Sequence, residues 1–218
     1  MAEFYIKKRR LFNLNTSLSL IIINVFCFIL FSILMGIFPD FIDYIALKPS
    51  NIVANFYFWT FLTSMFMHGG FFHLFANMFS LLFAGNLGEK ILGRKRFLWF
   101  YLISGLFAGI FFVLISFIFP ADFNTYAVGA SGALFGLMGL LMVLTPNLPV
   151  YLMFIPIPVK MKFAAPAMLF ILWLISLLGD VPIGNTAHLG GFIIGIGYGF
   201  YLKKKYKNKT KHISEHFS

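Results

Sequence analysis

Four polar side chains in apolar surroundings have the types needed for acyl transfer. They are Ser131 in Gly129-Ala130-Ser131-Gly132, His73 and Asn77 in the run from about Phe71 to Leu87, and His188 at the start of the run Ala187–Leu202. A serine hydroxyl is a poor nucleophile until a base takes its proton. An imidazole, with an ordinary pKa of ~6.5, suits that task. Acyl transfer also needs donors aimed at the developing oxyanion. The Asn77 amide, His73 and the backbone N–H of Ser131 at a helix N-terminus could supply them. No carboxylate is placed to orient His188, since Asp122 and Asp180 fall in loops, so a Ser–His dyad is the economical arrangement. Each residue taken alone has a plainer reading. An intramembrane serine commonly bonds its own helix, and an intramembrane histidine can relay protons or join helices. His68, beside Gly69-Gly70, reads as a turn residue, His212 and His216 as solvated tail residues, and Glu89 and Arg94 as structural anchors.

The surroundings of these residues follow from composition. Of 218 residues, 60% are hydrophobic, 20% aromatic and 11% charged, with mean hydropathy +0.89. Soluble domains carry roughly 25% charged residues. The bilayer is therefore the solvent, and the chain reads as an all-α polytopic membrane protein. The single Cys27 lies in an apolar run, which excludes a disulfide framework and a cysteine metal site.

Apolar runs extend from about Leu18 to Phe38, Phe71 to Leu87, Phe97 to Phe119, Ser131 to Leu144, Phe163 to Leu178 and Ala187 to Leu202. The first is too long for a signal peptide and is expected to be a retained anchor. Six spans with the N-terminus inside leave only Lys48 among the basic residues outside, and place Asp40, Asp43, Asp122 and Asp180 in outer loops. This is the positive-inside pattern. It divides the chain into a basic segment 1–17, a membrane core 18–202 and a basic tail 203–218, with both termini cytoplasmic and a plasma (inner) membrane as the expected location. The net charge of +10 then concerns topology and anionic lipid rather than nucleic acid. Ile52–Met67 is nearly long enough to span, but a seventh span would put the C-terminal lysines outside. It is expected to be interfacial or re-entrant, with Tyr57, Phe58 and Trp59 near headgroup level.

The fourth run has 14 residues, Ser131 to Leu144, or about 21 Å of helix against a hydrocarbon core of about 30 Å. Its Ser131 end is expected to lie below the outer surface, with the Asp122–Ala130 loop dipping to meet it. Irregular backbone at that depth must be buried by protein or reached by water. A cavity open to the outside, with Ser131 at its floor, is the expectation. Gly132, Gly136 and Gly139 on this run, and Ala187, Gly191, Gly195 and Gly199 on the sixth, form small-residue faces that let helix backbones approach closely. Their packing would carry His188 toward Ser131.

The pattern His68-x-x-x-x-His73-x-x-x-Asn77, then Gly129-x-Ser131-Gly132, then Ala187-His188-x-x-Gly191-x-x-x-Gly195, resembles the rhomboid intramembrane serine proteases. The resemblance covers nearly the whole chain, including the turn Gly88-Glu89-Lys90 and Gly93-Arg94. It implies a six-transmembrane-helix rhomboid-like bundle, Ser131 as nucleophile and His188 as general base. It implies an oxyanion hole from His73, Asn77 and the Ser131 amide, with Gly129, Gly132 and Gly191 in support. Cleavage of transmembrane protein substrates near their outer ends, without metal, nucleotide or other cofactor, is also implied, as is a substrate gate beside the fifth helix. Two positions depart from the pattern. Many members have Tyr four residues after the serine, stacked under the catalytic histidine, where this chain has Phe135. Many have a Trp-Arg pair in the first outer loop, where this chain reads Tyr57-Phe58-Trp59-Thr60.

Three alternatives compete. A catalytically silent rhomboid-like protein that escorts membrane helices usually lacks the Ser or the His, and both are present here. A transporter or channel using His73 and His188 as a proton path would need no Gly129–Gly132 surroundings and shows no broken-helix repeat. A zinc intramembrane protease needs a cluster such as His-Glu-x-x-His, which the sequence lacks.

Overall fold

The computed structural model describes residues 14–151, 157–179 and 183–217. The basic residues Lys7, Lys8, Arg9 and Arg10, and Asp180, lie outside the described residues. The described chain is helical apart from a short hairpin, β1 (Pro149–Tyr151) with β2 (Pro158–Lys160), in which Val150 faces Val159.

Four helical segments are long and apolar enough to cross a membrane. They are α1 (Thr16–Ile37), the segment Phe71–Leu92, α7 (Arg94–Ser116) and α9 (Met161–Gly179). The expected fourth and sixth spans also form helices, α8 (Ser131–Leu144) and α10 (Asn185–Lys205). By length and composition alone they fall short: α8 has 14 residues, and glycines, His188 and three terminal lysines dilute the apolar character of α10. The large apolar side chains left exposed, such as Phe26, Phe72 and Leu114, cover the outer surface of the bundle, as lipid solvation requires.

The stretch Ile52–Met67 forms no continuous helix. It contains the end of α3 (Pro49–Asn55), then α4 (Thr60–Thr63) and a 3₁₀ turn at Ser64–Phe66, and follows the short α2 (Ile42–Ile45). Phe56 takes a left-handed conformation (φ 58°) to end α3. Small residues on α7 seat this segment. A Cβ on Gly105 would lie 2.1 Å from the Met65 Cε, and one on Gly109 would meet Leu47 and Phe61 at 3.0 and 3.1 Å.

The segment Phe71–Leu92 is not uniform. It comprises α5 (Phe71–Ser80), a π-helical turn at Leu81–Gly85 and α6 (Asn86–Leu92). At its far end Glu89 is buried, and its two carboxylate oxygens accept the backbone N–H groups of Thr16 and Ser17, each at 2.8 Å. Those amides open α1 and have no partner within the helix. Asn15 caps the same end by accepting from Leu18 N–H at 2.8 Å. Arg94 completes the anchor, 3.6 Å from Glu89 and bonded to the Leu14 carbonyl. Glu89 and Arg94 are thus structural in the described fold, as the sequence suggests.

α8 runs through the centre, packed chiefly against α10 and α7. The expected glycine faces meet. A Cβ on Gly191 would stand 2.0 Å from the Gly132 carbonyl oxygen, and one on Gly195 would stand 1.9 Å from that of Gly136. On the other side of α8, Cβ atoms added to Gly132 and Gly136 would collide with Ala108 and Ser104 of α7. The central helix is therefore clasped between the backbone of α10 and the small side chains of α7, at distances only glycine permits. A last helix, α11 (Lys207–His216), follows α10.

Candidate active site

Ser131 is the first residue of α8, and Ala130 before it offers no side-chain cap. The backbone N–H groups of the first helical turn lack partners inside a helix, and the helix dipole makes them attractive to negative charge. The chain reaches this point through Gly129, whose φ of +108° is one that L side chains rarely adopt. Two backbone ties hold the approach. Gly129 N–H donates to the Ser64 carbonyl at 2.8 Å, and Leu47 and Ala127 exchange bonds of 3.2 and 2.8 Å. The irregular Asp122–Ala130 segment is thus tied to the first loop and is largely half-buried, with Asn124 exposed and Ala130 buried. Ser131 itself is half-buried.

His188 lies one turn into α10 and is buried, and its Nε2 is 2.8 Å from the Ser131 Oγ. The two residues are 57 positions apart, brought together by the Gly132–Gly191 approach one turn further along. The ring stacks on Phe135, with centroids 4.5 Å apart and planes 26° apart. This stack fixes the imidazole plane without a hydroxyl. The other ring nitrogen, Nδ1, has no hydrogen-bond partner among the described residues. Of the two loop aspartates, Asp122 accepts a bond from Thr186 Oγ1 at 2.9 Å, which ties the start of α10 to the loop that precedes Ser131. It supports the helix that carries His188, rather than the imidazole.

His73 and Asn77 converge on the same place from α5. A Cβ on Gly129 would be 2.7 Å from His73 Nε2 and 3.8 Å from Asn77 Nδ2. Glycine at 129 therefore answers two demands, the backbone angle and the room taken by His73. The His73 Nδ1 accepts from Gly69 N–H at 3.4 Å, which leaves the proton on Nε2, the nitrogen that faces Gly129. The Asn77 amide donates one hydrogen to the His73 carbonyl at 2.8 Å and keeps a second. His68, expected at a turn, does precede Gly69-Gly70, but it is buried, edge-on to His73 with centroids 5.2 Å apart.

Several supporting residues carry no periodic signal in the sequence. Asp43 accepts from Tyr126 Oη and Asn51 Nδ2, both at 2.7 Å, and lies 3.9 Å from Lys48. It thereby ties the first loop to the segment leading into Ser131. Burial alone would raise the Asp43 pKa; the two hydrogen bonds and the Lys48 charge outweigh it and hold the carboxyl below its ordinary value. In place of the Trp-Arg pair, Trp59 anchors its loop by donating from Nε1 to the Tyr44 carbonyl at 2.8 Å.

Comparison with known proteins identifies the family. The Rhomboid domain family model matches residues 55–205. RHOMBOID-like protein 1 of Arabidopsis thaliana is 39% identical over 166 residues, covering 74% of this chain and 39% of that protein. The putative rhomboid protease YdcA of Bacillus subtilis (strain 168) is 40% identical over 97 residues, 44% of this chain and 46% of that protein. Inactive RHOMBOID-like protein 8 of Arabidopsis thaliana is 34% identical over 151 residues, 68% of this chain and 39% of that protein. This chain is a multi-pass integral membrane protein and belongs to the rhomboid family. Its aligned part spans less than half the length of each of these relatives.

Proposed function

We propose that this rhomboid is an intramembrane serine endopeptidase acting on transmembrane segments of other proteins. The Ser131 Oγ attacks a peptide carbonyl carbon while His188 Nε2 takes its proton. The carbonyl oxygen gains negative charge within reach of the Ser131 N–H, the Asn77 amide and His73 Nε2–H. Collapse of the tetrahedral species breaks the C–N bond, and His188 gives its proton to the leaving amine. His188 Nε2 then takes a proton from a water molecule as the water oxygen attacks the acyl carbon; collapse breaks the bond to Ser131 Oγ, the proton returns to Oγ, and the acid product leaves.

The observation that carries this reading is the 2.8 Å contact between Ser131 Oγ and His188 Nε2. A structural serine at the first turn of a helix has no need of a histidine from another helix. Among the described residues nothing bonds Nδ1, which favours a dyad, with Phe135 supplying orientation by stacking. In this reading α8 and α10 complete six spans. α10 has 21 residues, about 31 Å, and the protein that surrounds α8 makes a 21 Å helix tolerable. The basic ends face the cytoplasm and Ser131 faces the outside of a plasma (inner) membrane. The segments 1–17, 18–202 and 203–218 are then tail, core and tail.

Ser131→Ala and His188→Ala are each expected to lower cleavage of a single-span test substrate in liposomes on the order of 10³-fold or more, with folding retained. A mechanism-based serine reagent should label the unaltered chain and not Ser131→Ala. One relative is named inactive, so the competing reading is a silent helix-binding protein. An unaltered chain that binds the substrate helix yet neither cleaves it nor takes the label would establish that reading instead.

A further inference from the structure

At the end of the molecule opposite Ser131, a cleft of about 220 Å³ runs between α7 and α10, lined by Arg96, Trp99, Phe100, Ile103, Ile194 and Tyr198. The spacing explains the shape. Residues 96, 99, 100 and 103 lie on one face of α7, and 194 and 198 on one face of α10. Phe100 stacks on Tyr198, with centroids 5.1 Å apart and planes at 20°, and forms the floor. Trp99 and Ile103 are the walls, each more than half exposed. The cleft is smaller than sites that enclose a small molecule, which take roughly 300–1,000 Å³. It can take only part of a ligand whose remainder lies outside.

The mouth of the cleft is cationic and lacks its counter-charge. The Arg96 guanidinium and the Lys205 ammonium both lie 5.7 Å from the centroid of the Tyr206 ring. Lys205 also donates to Tyr201 Oη at 2.8 Å. Among the described residues no carboxylate pairs with either cation, while Lys203, Lys204 and Lys207 add further positive charge nearby. The two exposed cations concentrate positive charge around one aromatic ring, and an anion at that ring's edge would be attracted by both. An apolar trough of aromatic and isoleucine side chains, running from a cationic mouth into the lipid-facing surface, matches a ligand with an anionic head and a hydrocarbon tail.

We propose that this cleft binds an anionic phospholipid from the leaflet facing the basic ends of α7 and α10. One acyl chain lies along Trp99, Ile103 and Ile194, and the phosphate-bearing head is held by Arg96 and Lys205. The tyrosine hydroxyls of Tyr198 and Tyr201 are the polar groups at the level of the head. The site is built without Ser131 or His188, so it stands or falls separately from the protease reading.

Trp99 reports on the cleft directly. In a Trp59→Phe, Trp173→Phe background it is the sole tryptophan, and the protein can be placed in nanodiscs holding dibrominated phosphatidylglycerol or dibrominated phosphatidylcholine at equal mole fraction. Each cation near an anionic lipid surface contributes on the order of a fivefold preference. Quenching of Trp99 is expected to favour phosphatidylglycerol, with Arg96→Gln and Lys205→Gln each lowering the preference about fivefold. Lys95→Gln, which removes a neighbouring charge outside the cleft, should leave it within a factor of two. Equal quenching by the two lipids would overturn the proposal. So would an equal loss from Lys95→Gln, which would mean diffuse surface attraction. If the double-Phe background does not fold, native mass spectrometry of the unaltered chain and of Arg96→Gln, released from a mixture of the two lipids, reads the same preference: retention of phosphatidylglycerol that falls in the variant supports the site, and unselective retention rejects it.

Discussion

α8 and α9 are consecutive, apolar helices in one chain, and they are held in opposite ways. Eleven of the 14 residues of α8 are buried. Only Met161, Ala164 and Ala165 are buried among the 19 of α9, all in its first five positions. Beyond them Phe170, Trp173 and Leu178 are exposed. Protein clasps α8 along its whole length, whereas α9 is buried only at its start, rests partly on the core through Met168, Leu169 and Leu172, and exposes most of its far half. Chemistry that depends on a 2.8 Å contact needs the first kind of helix. In the proposed protease, admission of a long substrate between helices would need the second.

The contrast can be broken most strongly at the seam. Gly195→Ala would drive a methyl group into the Gly136 carbonyl, a backbone atom that cannot swing aside. It is expected to destabilise by about 1–3 kcal/mol and to lower serine-reagent labelling. Gly197→Ala, two residues on with nothing within 4 Å of the added carbon, should stay within about 0.5 kcal/mol. Unfolding in detergent, followed for both variants, checks the pair; equal effects would mean that the seam is looser than its distances imply.

A second measurement sharpens the other half of the contrast. Spin labels at Phe72 on α5 and Leu177 on α9, in a Cys27→Ser background, should give a broad distance distribution. It should move by more than about 2 Å when a single-span substrate is added. Labels at Phe72 and Leu189 on α10 should give a narrow distribution that does not move. If neither pair responds to substrate, α9 is not the gate.

The smallest effect is electrostatic and lies in the loops above the seam. The Asp43 pKa is lower in the folded chain than in the unfolded one, so its contribution to stability is present above the unfolded value of ~3.9 and is lost as pH falls through the folded value. Its side chain is 37% exposed, so solvent screening keeps the effect modest. The unaltered chain should lose thermal midpoint on acidification below pH ~4 more steeply than Asp43→Asn. Parallel curves would remove this tie from the loop's stability.

Much of the seam is legible in the sequence. The bounds of α8 coincide with the apolar run, because a serine turn on one side and Thr145-Pro146 on the other leave little choice. The convergence of Ser131, His188, His73 and Asn77 followed from topology, and the glycine repeats named the faces that bring it about. The loop ties were not legible. The Asp43–Tyr126 bond joins residues 83 positions apart, and the Leu47–Ala127 pairing is a single bridge between irregular segments. Such contacts have no period to betray them. Gly105 and Gly109 of α7 make room for Met65, Leu47 and Phe61 of the first loop, a role that no spacing in the sequence marks. The expected depth of Ser131 rests on helix length alone; the backbone ties from the first loop to the Asp122–Ala130 segment are what the fold adds.

The π-helical turn at Leu81–Gly85 separates two duties within one long helix. An i→i+5 turn takes up one residue more than an α-helical turn, so the residues after it are out of phase with those before it. His73 and Asn77 point at the Ser131 corner from one side of that turn, while Glu89, on the other side, points at the start of α1. The turn works as a gearbox between the two. Loss of a single residue from it would leave each half a sound helix and would aim one of them away from its target.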